Sequence, residues 1–249
     1  MRDHPRFQSL YFRDLLVNAE VNGIVVPQGL IAHGRGEAFD YILGEKTVPA
    51  AEKATTAAAA FLLTAQHPII SVNGNTVALV GKEIVRLAST IPAQIEVNLF
   101  HRTSQRERRI EKYLARFGAR KVLGVGSAAS ARVPDISSPR AKVDPEGIAR
   151  ADVVLVPLED GDRAEALRGL GKQIIAIDLN PLSRTSRTAS VTIVDNVVRA
   201  VPHLITISKR MKKLSNNELE QIKAKFNNQR NLATTIKEMV QYLKGWAVD

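Results

Sequence analysis

Polar side chains follow two apolar runs late in the chain, at the point where each run ends. Asp178 comes directly after QIIAI, and a stretch rich in Ser, Arg and Thr fills residues 180–188. Asp195 and Asn196 follow the next run, SVTIV. In open parallel sheets, ligands bind beyond the carboxyl ends of the strands. A carboxylate there can accept from ribose hydroxyls, and a guanidinium such as Arg184 can grip phosphate, so the two strand ends together favour a nucleotide site.

The same residues also have a structural interpretation. Asn196 is a good N-cap for the helix predicted to follow it, and residues 183–187 could form a solvated turn. The residue types alone do not separate a side chain that caps a helix from one that binds a ligand.

A second candidate is the segment H-G-R-G-E at residues 33–37. Two glycines flank Arg35 ahead of a predicted helix, so backbone N–H groups and a guanidinium would lie together, an arrangement that suits an anion. The alternative is a turn that carries a surface Arg.

Polar residues at two further strand ends are candidates for the rest of a binding site. They follow the run PIISV or lie in and after the run QIEVNLF, and they are Asn73, Asn75, Glu96, Asn98, His101 and Arg102. A His and an Arg beside a strand end suit a charged substrate. The alternatives are a plain turn with an N-cap at residue 73 and a structural role for the histidine.

Two loops carry weaker signals. Residues 124–129 have the G-x-G-x-x-A spacing of dinucleotide folds. The prolines that follow, and the lack of a second strand ending in an acid, disfavour an NAD-dependent oxidoreductase. The loop 158–163 holds three carboxylates, which could bind Mg²⁺ together with substrate phosphates or could begin a helix.

Composition limits the class of protein. The 249 residues include no cysteine, which excludes disulfide frameworks, cysteine nucleophiles and thiolate metal sites. No apolar run approaches the roughly 20 residues of a membrane helix, so we expect no membrane association and a soluble, cytoplasmic protein. The net charge of +10 is concentrated in residues 102–121 and 208–249 and favours an anionic partner. Binding of single-stranded nucleic acid by base stacking is a poor fit because only 5% of the residues are aromatic, and we do not expect nucleic acid as the main partner.

An alternating series of elements must position these candidates. The N-terminal third predicts helices, and from residue 68 short β-branched runs alternate with helical segments. This pattern favours an α/β fold, a mostly parallel sheet covered by helices. The last forty residues predict two amphipathic helices, the first opened by a capping box at Ser215 and Glu218. We therefore predict an α/β domain over residues 1–207 and a basic helical extension over 208–249.

Several of these segments together resemble one known family. The segments are HPRFQSLYFRDLL, GLIAHGRGEAFDYILGE, ISVNGNTVAL, IPAQIEVNLFHRT, ADVVLVPLEDGDRAEAL and IAIDLNPLSRTSRTASVTIVDNVVRAVP. In this order they are similar to the archaeal 4-phosphopantoate–β-alanine ligases, also called phosphopantothenate synthetases. The likeness runs from about His4 to about Leu204, so the basic tail lies outside it.

The resemblance implies a homodimeric, Rossmann-like enzyme of coenzyme A biosynthesis that joins 4-phosphopantoate to β-alanine. It implies ATP and Mg²⁺ as cofactors, and an acyl-adenylate route that releases AMP and diphosphate. The nucleotide site of the family falls here on Arg13, Arg35, Asp178, Leu179, Asn180, Ser183, Arg184, Asp195 and Asn196.

On this basis we predict that Arg13 and Arg35 contact phosphate groups and that Asp178 contacts the ribose. The strand-end residues 73, 75, 96, 98, 101 and 102 would line the end that holds 4-phosphopantoate and β-alanine. Arg35, His101 and Arg102 are the candidates for catalysis, and no metal ligand is assigned. A module that senses a nucleotide without turning it over is the alternative from another class.

Overall fold

A computed structural model describes residues 6–158 and 160–247. The helices are α1 (Phe7–Val21), α2 (Pro27–Leu43), α3 (Pro49–Thr64), α4 (Gly74–Thr90), α5 (Ser104–Ala115), α6 (Gly161–Gly169), α7 (Arg184–Thr188), α8 (Val197–Met211), α9 (Asn216–Lys225) and α10 (Asn228–Lys244). The strands are β1 (Pro68–Val72), β2 (Gln94–Val97), β3 (Val122–Leu123), β4 (Ala131–Arg132), β5 (Lys142–Val143), β6 (Val153–Pro157), β7 (Gln173–Ile177) and β8 (Val191–Ile193).

Six strands form one parallel sheet in the order β3-β2-β1-β6-β7-β8, and β4 pairs with β5 in a separate antiparallel ribbon. The chain builds outward from β1 to β3, returns to the centre at β6, and then builds outward in the other direction. This is the strand order of a Rossmann-type sheet, whose ligands bind where the order reverses. The predicted α/β, Rossmann-like fold is confirmed.

The apolar runs form central strands because both faces of the sheet are covered. Along β7, Ile175 and Ile177 pack into the larger core, whereas Ile174 and Ala176 pack into the smaller core on the other face. Nearly continuous apolar sequence, rather than strict alternation, is what a doubly covered strand requires.

The alanine-rich helix α3 lies at the centre of the larger core. It packs against α8, α9, α10 and β8, and residues 57–60 are all buried. Small side chains let these neighbours approach closely, which explains the run of alanines after Pro49.

The basic tail is integrated into the same packing. The predicted domain boundary after residue 207 lies inside α8, which continues to Met211. The predicted capping box at Ser215 and Glu218 is present at the start of α9. Within the part of the chain that the structure describes, none of the helices combines the length and apolar character needed to cross a bilayer.

A larger side chain inside α3 should destabilise the fold. Ala58→Leu inserts three carbon atoms among α3 and its packed neighbours, and we expect the free energy of unfolding to fall by roughly 1–3 kcal/mol. Lys53→Leu, on the exposed side of α3, makes the matched control and should change it by less than about 0.5 kcal/mol. Urea denaturation of both variants measures the difference, and equal effects would contradict the packing described.

Candidate active site

A cleft of about 830 Å³ opens at the carboxyl ends of the strands, where the strand order reverses between β1 and β6. The predicted site residues that line it are Arg35, Asn73, Asn75, His101, Asp178, Leu179, Asn180, Ser183, Arg184 and Asn196. The predicted site residues that do not line it are Arg13, Glu96, Asn98, Arg102 and Asp195. The structure thus brings the two predicted ends of the site into one continuous cleft.

Asn73 joins the two central strands at the floor of the cleft. Its side-chain nitrogen donates to the carbonyl oxygens of Pro157 at 3.3 Å and Leu158 at 2.9 Å. Its side-chain oxygen accepts from the backbone N–H of Thr76 at 3.0 Å and so caps α4. The N-cap interpretation holds, and the same amide also ties β1 to the loop after β6.

The loop after β7 is organised around the Asp178 carboxylate. It accepts from the Ser183 hydroxyl at 2.5 Å and from the backbone N–H of Asn180 at 2.9 Å. Burial raises the pKa of Asp178, while these hydrogen bonds and the charge of Arg35 act in the opposite direction. Ser183 also accepts from the N–H of Ser186 as the N-cap of α7. Residues 184–188 therefore form a short helix and not a solvated turn.

Arg184 reaches across to α6 from the rim of the cleft. Its guanidinium pairs with the carboxylates of Asp162 and Glu165. The two helices are close enough that a Cβ on Gly161 would lie 2.6 Å from the Cβ of Arg184, so only glycine fits there. The predicted phosphate ligand is thus held by two acids in this structure.

The H-G-R-G-E segment differs from its prediction. Residues 33–37 lie inside α2, so their backbone N–H groups belong to the helix and form no anion-binding loop. Two glycines do not break this helix, because it is anchored at both ends by the network around Asp40 and by Pro27 at its start. Arg35 is exposed and lines the cleft, and no described residue hydrogen-bonds to its guanidinium. Helix α2 therefore offers an anion the guanidinium of Arg35, but no loop of backbone N–H groups.

Asp195 and Asn196 anchor α2 to α8. Asn196 caps α8 and donates to the Asp40 carboxylate at 2.8 Å. Arg199 pairs with both Asp40 at 2.5 Å and Asp195 at 2.7 Å. Asp195 is buried, which raises its pKa, and Arg199 and the hydroxyl of Thr47 oppose that shift. The capping interpretation holds here, and Asn196 alone of the pair lines the cleft.

Arg13 does not line the cleft, but it pairs with Glu37, which does. Its guanidinium pairs with the Glu37 carboxylate at 2.9 Å, and the hydroxyls of Ser9 and Tyr41 donate to the same carboxylate. Glu37 lines the cleft, whereas Arg13 lies on the outer side of it.

The polar residues around the end of β2 hold the segment 124–148. Glu96 accepts from the N–H groups of Asp144 at 3.0 Å and Ile148 at 2.6 Å. Asn98 donates to the carbonyl oxygen of Arg140 at 3.1 Å. Arg102 donates to two carbonyl oxygens of the same segment, at 2.6 and 2.7 Å. These three side chains are therefore occupied by the backbone of the segment that forms one wall of the cleft.

Three arginines that the sequence did not single out lie at this end. Arg106 and Arg140 line the cleft and are mostly buried, and Arg163 is only 1% exposed. Arg106 donates to the carbonyl oxygens of Ile24 and His101, both at 2.8 Å, and Arg140 pairs with Asp160 at 2.7 Å. Burial, reinforced by the charge of Arg140, lowers the pKa of Arg106 to about 10. Such a concentration of buried positive charge suits a multiply charged anion.

Helical periodicity is the signal that could have found Arg106. It lies on the same face of α5 as Ile110 and Leu114, which are both buried. Arg140 lies in a proline-containing loop with no periodicity, so no comparable signal exists for it.

The weaker motifs have different outcomes. Residues 124–129 do not line the cleft, and Gly124 is required because a Cβ there would lie 2.5 Å from the carbonyl oxygen of Val97. Asp160 and Asp162 do line the cleft, at the start of α6. Among residues 6–158 and 160–247, no group of three His, Cys, Asp or Glu side chains is placed to hold a metal ion.

Comparison with known proteins places this arrangement in a family. The sequence model of the phosphopantothenate/pantothenate synthetase family matches residues 50–242. The chain belongs to this family. The match extends through α9 and into the last turn of α10, so it includes most of the tail that the sequence segments left outside.

Curated relatives of this synthetase agree with the assignment. A 4-phosphopantoate–β-alanine ligase from Thermococcus kodakarensis is 48% identical over 236 residues, which are 94% of this chain and 90% of that protein. The ligase from Methanosarcina mazei is 47% identical over 247 residues, 99% of this chain and 96% of its own. The ligase from Methanospirillum hungatei is 52% identical over 201 residues, 81% of each chain. The predicted resemblance is confirmed.

Glu96 should make the stability of this synthetase depend on pH. Burial raises its pKa from 4.5 to about 7, although the N–H groups of Ile148 and Asp144 and the charge of Arg163 act in the opposite direction. Between these two values the folded protein holds a proton that the unfolded chain has released. The stabilisation is therefore full below the unfolded pKa and is lost as the pH rises through the folded pKa.

We expect the free energy of unfolding of the unaltered protein, relative to Glu96→Gln, to fall as the pH rises from about 4.5 to about 7. Urea denaturation of both proteins across this range measures it. Parallel curves would show that Glu96 titrates as an ordinary carboxyl.

Proposed function

We propose that this protein is an ATP-dependent ligase that joins 4-phosphopantoate to β-alanine, yielding 4′-phosphopantothenate for coenzyme A biosynthesis. The observation that carries the proposal is the single cleft with a cationic group at each end, in a chain about 48% identical to ligases of that name. A reaction among anionic reactants requires such charge, because the reactants repel one another in water.

The nucleotide is assigned to the end formed by α2 and the loop after β7. Arg35 is free to contact its phosphate groups, and Asp178 faces the same space as the acceptor for ribose hydroxyls. Leu179 offers a buried apolar surface beside Gly36. Arg13 supports this end by fixing Glu37, and Arg184 forms its rim.

The second anionic substrate is assigned to the opposite end. A phosphate group there would be compensated by Arg106 and Arg140 in a poorly solvated wall, where charge interactions are strongest. Asn73, Asn75 and His101 also line the cleft and are assigned to the reacting part of the substrates. Glu96, Asn98 and Arg102 support this end by holding the wall in place.

We propose an acyl-adenylate route. A carboxylate oxygen of phosphopantoate attacks the α-phosphorus of ATP, and the bond to diphosphate breaks. The unprotonated β-alanine amine then attacks the acyl carbon, AMP leaves, and the amine loses a proton. The cleft contains His33 and His101, and burial lowers the pKa of His33, which favours the neutral imidazole, the form that can accept a proton.

We include Mg²⁺ in the proposal because, when bound to the triphosphate of ATP, it would neutralise part of the negative charge there. Asp160 and Asp162, at the edge of the cleft, pair with Arg140 and Arg184 in this structure, and on release from these pairs they would supply the one or two carboxylates that Mg²⁺ takes along with phosphate oxygens. A homodimer and a cytoplasmic location complete the proposal, the first from the family resemblance and the second from the composition.

The direct test is nucleotide release with 4-phosphopantoate and β-alanine omitted in turn. AMP formed only when both substrates are present supports the ligase. ADP in place of AMP would replace the adenylate by an acyl phosphate, and folded protein without any nucleotide turnover would refute the proposed function.

Removing the guanidinium of Arg35 should slow ligation. We expect Arg35→Ala to lower kcat/KM for ATP by roughly 10- to 100-fold, because a charge-assisted hydrogen bond to phosphate is lost. Arg116→Ala removes an exposed arginine beyond the end of α5, outside the cleft, and should stay within about twofold of the unaltered enzyme. Initial rates at varied ATP measure both, and a near-normal Arg35→Ala would remove this residue from the site.

The two ends of the cleft should be separable in kinetics. Arg140→Gln removes one charge from the phosphopantoate end and leaves the carbonyl that Asn98 contacts, so we expect KM for 4-phosphopantoate to rise by about tenfold or more. KM for ATP should change by less than about threefold. If ATP affinity fell instead, the assignment of the two ends would be reversed.

A further inference from the structure

The start of α10 contacts the loop that is assigned to the nucleotide. Asn228 is only 9% exposed, and its side chain reaches the end of α7 and the edge strand β8. Its side-chain nitrogen donates to the carbonyl oxygens of Ser186 at 2.8 Å and Ala189 at 2.9 Å. Its side-chain oxygen accepts from the backbone N–H of Thr192 at 2.8 Å.

The side-chain amide of Asn228 has no donor left for another partner. Both hydrogens of the nitrogen and one acceptor site of the oxygen have backbone partners, and the site is shielded from water, where hydrogen bonds fix geometry most strongly. The hydroxyl of Thr192 donates to the same Ser186 carbonyl at 2.8 Å. A helix of five residues such as α7 has little stability of its own, so these contacts decide where it lies.

Helix α10 is also hydrogen-bonded to α3, the alanine-rich helix of the larger core. Asn231 donates to the carbonyl oxygen of Ala50 at 3.1 Å, and the Glu238 carboxylate accepts from the N–H of Ala50 at 3.3 Å. Since Ala50 lies in the first turn of α3, α10 connects the start of α3 to the end of α7. The position of the nucleotide loop is thereby tied to a helix of the larger core.

We propose that Asn228 is a positioning residue for the nucleotide, and that the C-terminal helices are part of the nucleotide site and not an appendage to it. The inference rests on the proposed function. Asn228 touches no substrate, and it acts by holding α7 so that Ser183, the N-cap of α7, orients the Asp178 carboxylate.

The test is Asn228→Asp, which keeps the size and the acceptor for Thr192 but sets a carboxylate oxygen against two carbonyl oxygens. We expect KM for ATP to rise at least about fivefold, with KM for 4-phosphopantoate and β-alanine within about twofold of the unaltered enzyme. The rise in Tm on adding ATP should shrink in the same variant. Gln241→Glu is the matched control, because the same chemical change falls on an exposed residue of α10 whose side chain has no hydrogen-bond partner among the described residues.

Thr192→Val is a milder variant that tests the same proposal if Asn228→Asp does not fold. Thr192→Val removes the second donor to Ser186 at nearly constant size and should raise KM for ATP by a smaller factor, again with the other two constants unchanged. Equal changes in all three constants, or a lower Tm with an unchanged response to ATP, would overturn the proposal. Absence of ATP turnover and of any ATP-dependent rise in Tm in the unaltered protein would instead refute the proposed function.

Discussion

The side-chain amide of Asn73 joins the two strands between which the strand order reverses, and the cleft depends on that joint. The carbonyl oxygens of Pro157 and Leu158 lie at and just beyond the end of β6, past the last residues of that strand that pair with β1. One asparagine supplies donors to both and caps α4 with its oxygen. The floor of the cleft is therefore fixed by hydrogen bonds, and the space above it remains open for substrates.

Charge then decides what the space can hold. Arg106, Arg140 and Arg163 cluster at one end, with Asp160 as a partly exposed counterion, and Arg35 stands at the other end without a hydrogen-bonding partner among the described residues. Burial lowers the pKa of Arg106, and the charge of Arg140 adds to the shift, so keeping this guanidinium charged in the wall costs free energy. An anion bound beside these groups would offset that cost. The polar side chains behind the walls keep these cations in place.

Local sequence patterns predicted the parts of the molecule that local forces determine. The apolar runs predicted the strands, and Ser215 and Glu218 predicted the start of α9. The polar residues after β1, β6 and β7 predicted the position of the cleft. Contacts between residues far apart in the sequence could not be predicted in this way. Glu96 lies in β2, and Asn98 and Arg102 follow that strand, as a ligand set would. Their side chains instead bond to the segment 124–148, which only the packed fold brings next to them. Nothing near Arg140 in the sequence marks it as part of a charged wall.

If the cleft brings the phosphopantoate carboxylate against the α-phosphate of ATP, an oxygen of that carboxylate passes to AMP, and isotope labelling measures this transfer. With ¹⁸O in that carboxylate and all substrates present, we expect one labelled oxygen in AMP for each phosphopantothenate formed. Label in inorganic phosphate together with ADP, or AMP without label, would contradict it.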